Sequence, residues 1–225
     1  MINKKINLLD CTLRDGGYYN NWFFKKDLIN EYLRVMSILK IDYVEIGFRF
    51  LDKVKIKGPC AYSEEGFLKS LKIPKNLKLG VMVNASDYVG QKNIVELAKK
   101  NFKLQKDSLI SLVRLACHHH EVKEILPLIN WLKNSGYKVG VNIMQIPELS
   151  PIEIKNVVKE VKKTKADILY FADSMGSLDS SKTKKIIYQI KSLWKKSTGI
   201  HTHDNMGKAL ENSVAAINNS VDWID

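Results

Sequence analysis

Cysteine is scarce. Three residues in 225, Cys11, Cys60 and Cys117, are scattered without Cys-x-x-Cys spacing. Such a set excludes a disulfide framework and a thiolate zinc cluster, and all three are expected to stay reduced. No run of ~18 uncharged apolar residues occurs, so no transmembrane helix is predicted. The opening stretch MINKKINLLDCTLRDGG lacks the apolar centre and small-residue cleavage site of a secretory leader. The expected location is therefore the cytoplasm. No Gly-x-Gly-x-x-Gly follows the first apolar run, so dinucleotide binding has no support. Arg-rich tracts and RNP-like aromatic motifs are missing too. The net charge of +12 is carried by diffuse lysines, as at 96–100, 152–165 and 182–196. That pattern fits solvated helix faces better than a nucleic-acid surface. A basic field can still draw in an anionic substrate.

What is present is an ordinary globular composition, 45% hydrophobic and 27% charged, which excludes disorder. Short β-branched apolar runs recur at 6–10, 43–48, 79–83, 109–115, 138–144, 168–172, 199–202 and 221–224. Runs of this kind read as parallel strands covered on both faces. Between them lie amphipathic stretches at 27–39, 64–71, 88–101, 121–133, 180–195 and 208–218, with another starting at Pro151 behind a Ser150 N-cap. The alternation predicts an α/β fold, and eight strands favour a (β/α)8 TIM barrel over an open sheet. The sequence stops at Asp225, on the eighth predicted strand. The expectation is one domain over 1–225, truncated after that strand, without the eighth helix or a C-terminal extension. A fragment or naturally truncated copy is favoured over cover by a partner chain.

In parallel barrels the reactive groups sit at the C-terminal strand ends. The first strand runs into Asp10-Cys11-Thr12-Leu13-Arg14-Asp15-Gly16-Gly17, which is costly to bury without purpose; the glycines suggest a tight turn. The bland alternative is an ion-paired loop around Arg14. The seventh strand runs into His201-Thr202-His203-Asp204-Asn205. Residues two apart on a strand share a face, so the two imidazoles point together, and an inward pair suits a metal better than a core contact. Asp15 completes a two-His-one-carboxylate set that leaves positions open for water and substrate. The donors suit Mn2+ or Mg2+ first, and also Co2+ or Zn2+. Glu45, an acid inside an apolar strand, is expected to pair with Arg14 or support the site from behind. Arg114, His118, Asn142, Gln145 and Asp173-Ser174-Met175-Gly176 add polar groups to other strand ends. In the triplet His118-His119-His120 adjacent side chains alternate in direction, so His118 is read as a wall residue and the other two as exposed.

These residues carry a family resemblance. Asp10-Cys-Thr-Leu-Arg-Asp15 resembles the D-x-T-L-R-D signature of the DRE-TIM metallolyases, the HMG-CoA lyase-like family. His201-Thr-His203-Asp-Asn205-Met-Gly207 resembles that family's H-x-H-[DN]-[DN]-x-G, and 173–176 its D-[ST]-x-G. Within the family the chain is most similar to the 4-hydroxy-2-oxovalerate aldolase branch. The resemblance implies that Asp15, His201 and His203 hold the metal. It implies that Arg14 stabilises enolate charge and that Ser174 contacts a 2-oxo acid. Arg114, Asn142 and Glu45 are expected beside the substrate as well. One departure stands out: the branch's catalytic histidine, three residues beyond the metal aspartate, is replaced by Tyr18.

The resulting expectation is a metal-dependent carbon–carbon lyase. It would cleave a 4-hydroxy-2-oxo acid to pyruvate and an aldehyde, by retro-aldol chemistry through an enolate held by the metal and Arg14. Tyr18, His118 or metal-bound water is the base, with equal standing. Two alternatives stay open. One is a Claisen-type condensation of an acyl-CoA with a 2-oxo acid, as in isopropylmalate synthase relatives. The other is an inactive truncated barrel with a binding or structural role. The small-molecule 2-oxo acid is the expected partner, not nucleic acid or membrane; a homo-oligomer or an aldehyde dehydrogenase partner is compatible with the resemblance.

Overall fold

The apolar runs form strands within a few residues of their expected bounds: β1 (Asn7–Asp10), β2 (Tyr43–Phe48), β3 (Lys78–Asn84), β4 (Ile110–Cys117), β5 (Lys138–Ile143), β6 (Ile168–Asp173), β7 (Ser197–Thr202) and β8 (Trp223–Ile224). In the computed structural model, which describes residues 5–53 and 56–225, they close in sequence order into one barrel. All neighbours are parallel, and β8 pairs with β1 through Asn7–Trp223 and Leu8–Ile224. Residues 1–4, part of the stretch read for a leader, lie outside the described residues. Among the described residues no helix is long and apolar enough to cross a membrane.

The helices are α1 (Thr12–Asn20), α2 (Lys26–Ile38), α3 (Glu65–Lys69), α4 (Ile94–Asn101), α5 (Leu126–Asn134), α6 (Pro151–Lys162), α7 (Ser180–Leu193) and α8 (Ala209–Asn218). The Ser150 cap is present as a full capping box with Glu153, ahead of Pro151. Two expected helices start late. The stretch from 88 gives way to irregular chain until Ile94, because Gly90 turns the backbone to φ +75°. The stretch from 121 becomes helical only at Leu126, because Pro127 is tolerated in a first turn and not in a helix interior. The glycines after β1 are also not a turn: residues 12–20 form α1.

Two apolar zones result. Outward strand residues such as Val44, Ile46 and Phe48 pack under the helices in the larger core. Inside the barrel, Leu9, Tyr43, Leu112, Ile168, Tyr170 and Trp223 form a second cluster, with Tyr43 and Trp223 rings 4.9 Å apart. Gly199 makes room for it, since a Cβ there would lie 2.3 Å from the Tyr170 ring. This plug closes the barrel floor, so polar inward residues collect at the strand C-termini above it.

Candidate active site

Inward positions recur every second residue. One step above the apolar plug they are Cys11, Glu45, Arg114, Asn142, His201 and Asp225. Four of these, Cys11, Glu45, Arg114 and Asp225, meet with Arg14 in a buried charge network. Arg114 grips Glu45 with a parallel fork, Nε to Oε1 at 2.8 Å and Nη2 to Oε2 at 2.7 Å. Arg14 donates from Nε to the same Glu45 Oε2 at 2.8 Å. Arg114 Nη1 reaches Asp225 Oδ2 at 2.6 Å, and its guanidinium stacks 4.7 Å over Tyr170. Cys11 Sγ donates to Asp225 Oδ2 at 3.2 Å. Glu45, Arg114 and the Asp225 side chain are fully buried. Glu45 thus pairs with Arg14 as expected and with Arg114 as well; it braces two arginines and leaves no carboxylate oxygen idle for a ligand.

The two histidines sit above this network, facing the same way. Their Nε2 atoms lie 3.1 Å apart. Each Nδ1 is tied to a partner that can only accept: His201 to the Asp225 carboxylate at 3.0 Å, and His203 to the Ser174 carbonyl at 2.9 Å. Both rings in their neutral form therefore carry the proton on Nδ1. Two bare Nε2 lone pairs then confront each other, an arrangement that repels unless a cation or a shared proton lies between them. Asp15 Oδ2 is 4.0 Å from His201 Nε2. Cys11 Sγ, an Asp15 oxygen and a His201 nitrogen all lie within 4.8 Å of one another. Among the described residues His203 is not part of that three-residue group; it meets His201 instead. Two nitrogens about 2.1 Å from one ion and roughly at right angles lie about 3 Å apart, so the imidazole pair fits a divalent metal, with Asp15 and Cys11 beside it.

Helix α1 supplies the arginine and the carboxylate. Asp10 anchors its start, accepting from the Thr12 backbone N–H at 2.9 Å and from the Tyr32 hydroxyl. Arg14 contacts Asp15 through Nη1, while its Nη2 is buried without a hydrogen-bond partner. That orphan donor is available to an incoming oxygen. Trp22 Nε1 donates to the Arg14 carbonyl at 2.9 Å, and its ring lies against Gly17, where a Cβ would approach to 2.0 Å. Gly17 therefore serves this close contact inside a helix. Tyr18 is more than half exposed. It packs edge-on against Trp22 at 4.9 Å and Phe48 at 6.0 Å. Desolvation raises its phenol above the ordinary value, with Arg14 opposing.

The remaining predicted residues divide. Ser174 supports the site: its hydroxyl accepts from Gln145 N–H at 3.0 Å and its carbonyl holds His203. The Asp173-to-Gly176 loop is built for this, with the buried Asp173 carboxylate accepting from Ser177 and Leu178 N–H at 2.9 and 3.1 Å. Asn142 is buried with its Oδ1 unpartnered. The His118 ring stacks on His120 at 5.5 Å, and its backbone N–H binds Glu121; no hydrogen bond among the described residues joins its ring to the network. His119 is only half-buried rather than fully exposed, and His120 is exposed. Sequence reasoning missed Asp225 and Cys11 as neighbours of His201. Asp225 was open to discovery, since it is an acid at a predicted strand end, the criterion that had singled out Asp15.

Both buried carboxylates respond to acid. Burial alone raises Glu45 and Asp225, but Arg114, helped by Arg14 and for Asp225 by His201, holds both below the ordinary carboxylate range. A depressed folded value stabilises above the unfolded value, and that stability is lost as pH falls through the folded one. Urea midpoints should therefore stay level from neutrality down to about pH 5 and drop below about pH 4. A midpoint unchanged well below that range would contradict the pairing.

A family model for HMGL-like proteins matches residues 78–225. Over 225 residues the chain is 28% identical to a 4-hydroxy-2-oxovalerate aldolase of Carboxydothermus hydrogenoformans, covering 99% of this chain and 64% of that one. It is 20% identical to an oxaloacetate decarboxylase of Mycobacterium tuberculosis, covering 97% and 62%. The chain thus spans less than two-thirds of the length of these curated relatives. The crystal structure of the N-terminal domain of an aldolase-like protein from Bacteroides vulgatus superposes with a TM-score of 0.83 at 28% identity, covering 98% of this chain and 72% of that one. With a closed eight-stranded barrel, both signature segments at its mouth and a family match over most of its length, this chain belongs to the HMGL-like family.

Proposed function

We propose that the protein is a divalent-metal-dependent lyase that breaks the C3–C4 bond of a small 2-oxo acid, one carbon removed from the 2-oxo group, and releases pyruvate. The observation that carries this reading is the pair of bare imidazole Nε2 atoms 3.1 Å apart, next to Asp15, which an arginine with an unpaired buried donor contacts. Asp15, His201 and His203 would hold the metal, which supplies Lewis-acid polarisation of the keto oxygen. Retro-aldol cleavage of a 4-hydroxy-2-oxo acid and decarboxylation of oxaloacetate share one feature: the electron pair of the broken bond ends on a pyruvate enolate. Arg14 stabilises that negative oxygen, with Glu45 and Asp15 fixing the direction of its fork. For the aldol substrate, water at the barrel mouth takes the proton from the 4-hydroxyl as the C3–C4 bond breaks and the aldehyde forms, and a proton returns to C3 of the enolate to give pyruvate. Tyr18, raised above its ordinary value, stays a neutral phenol at pH 7 and suits proton donation or orientation of that hydroxyl better than proton removal. Two roles for this chemistry, aldolase and decarboxylase, are named among the relatives, and the retro-aldol role is preferred on the similarity to the aldolase branch.

The test is metal analysis of purified protein followed by a pyruvate-release assay with several 4-hydroxy-2-oxo acids and, in parallel, oxaloacetate. The expected result is turnover that EDTA abolishes and Mn2+ or Mg2+ restores. Free CoA release from an acyl-CoA and a 2-oxo acid, without pyruvate from either substrate, would replace this reading with the condensing one.

A further inference from the structure

We propose that Asp225 is a positioning residue for the metal-ligand pair: it locks the His201 proton on Nδ1, so that Nε2 faces the cation. The proposal rests on reading the mouth as a metal site. The backbone clamps Asp225 on either side of His201, with Asp225 N–H donating to the Ile200 carbonyl at 3.1 Å and Thr202 N–H to the Asp225 carbonyl at 3.2 Å. Its inward side chain is fully buried, and a single oxygen, Oδ2, takes the His201 Nδ1, the Arg114 guanidinium and the Cys11 thiol at 3.0, 2.6 and 3.2 Å. Its other oxygen, Oδ1, has no partner. An ionised carboxylate accepts and cannot donate, so the imidazole has one neutral orientation that satisfies this contact. Flipping the ring would turn the wrong nitrogen toward His203. Through Arg114 and Glu45 the same carboxylate is also linked to Arg14, so one buried acid ties the geometry of a metal ligand to that of the enolate-stabilising arginine.

A bland counter-ion role for Arg114 makes different predictions, because Arg114 keeps its fork to Glu45 without Asp225. The experiment compares wild type, Asp225→Ala and Asp225→Asn with 15N-labelled histidine in metal-free protein at mildly alkaline pH, and measures the Kd of each for Mn2+. The imidazole two-bond 1H–15N correlations report which nitrogen carries the proton. Wild type should show His201 as the Nδ1–H form. Asp225→Asn, whose amide oxygen can sit where Oδ2 sits, should keep that form. Asp225→Ala should lose it and bind Mn2+ about 10–100-fold more weakly, the usual effect of removing a partner behind a metal-bound histidine. Equal tautomers and equal Kd in a folded Asp225→Ala protein would overturn the proposal. So would an Nε2–H form of His201 in wild type, a result that decides the matter even if the alanine variant does not fold. Wild type that binds no Mn2+ yet shows the Nδ1–H form, lost in Asp225→Ala, would sink the metal reading while leaving the role of Asp225 in place.

Discussion

Arg14→Ala should lower kcat by about 10²–10³, the usual loss on removing a donor to a developing oxyanion, with a smaller change in KM. The reason is geometric. Two of the three guanidinium nitrogens are committed, Nε to Glu45 and Nη1 to Asp15, and the third is buried without a partner. A buried unpaired donor is costly in the free protein, and an enolate oxygen would satisfy it. Its interaction is strongest when charge has moved onto that oxygen, so the loss falls on the transition state. Arg14→Lys should not restore the rate, because an ammonium cannot make the Nε contact to Glu45 and still present a second planar donor. Steady-state pyruvate release at saturating metal checks this. Unchanged turnover in Arg14→Ala would remove Arg14 from the chemistry.

Glu45→Leu should destabilise the protein by about 3–5 kcal/mol, the range found when one partner of a buried ion pair is removed. The fold offers Glu45 no water: its side chain is fully buried and spans Arg14 and Arg114. Leucine would fill the volume and leave two guanidinium groups sharing only Asp15 and Asp225. For a domain of this size each kcal/mol moves the melting midpoint by roughly 2–4 °C. The effect should be read by urea or thermal unfolding, beside Lys99→Leu as a surface control; Lys99 pairs with Glu96 on an exposed helix face. Loss of less than about 1 kcal/mol would mean that the network is a surface-like pairing.

The periodic parts of this molecule were open to reading from the sequence. β-Branched runs became strands and three-to-four spacing became helices, because burial of one face dictates both. That His201 and His203 share a face followed from the two-residue strand period; the period alone left open whether that face is inward. What escaped was anything decided between segments far apart in the chain. The residues after β1 looked like a glycine turn and are α1, since Gly17 answers to the ring of Trp22 and not to a local bend. Glu45 was seen as a partner for Arg14, but its fork to Arg114, 69 residues away, is a product of barrel closure. Asp225 met the criterion used for the other strand ends, yet only the pairing of β8 with β7 shows it behind His201. The Gly90 and Pro127 starts were local signals that amphipathic periodicity overrode.

The most direct measurement is Mn2+ binding to metal-free wild type and to His203→Ala, followed by electron paramagnetic resonance. The account predicts one tightly bound ion per wild-type chain and loss of that site in the variant, because the two facing imidazole nitrogens are two of its three proposed ligands. A wild-type protein that takes up no divalent ion, or a variant that holds it as tightly as wild type, would contradict the account.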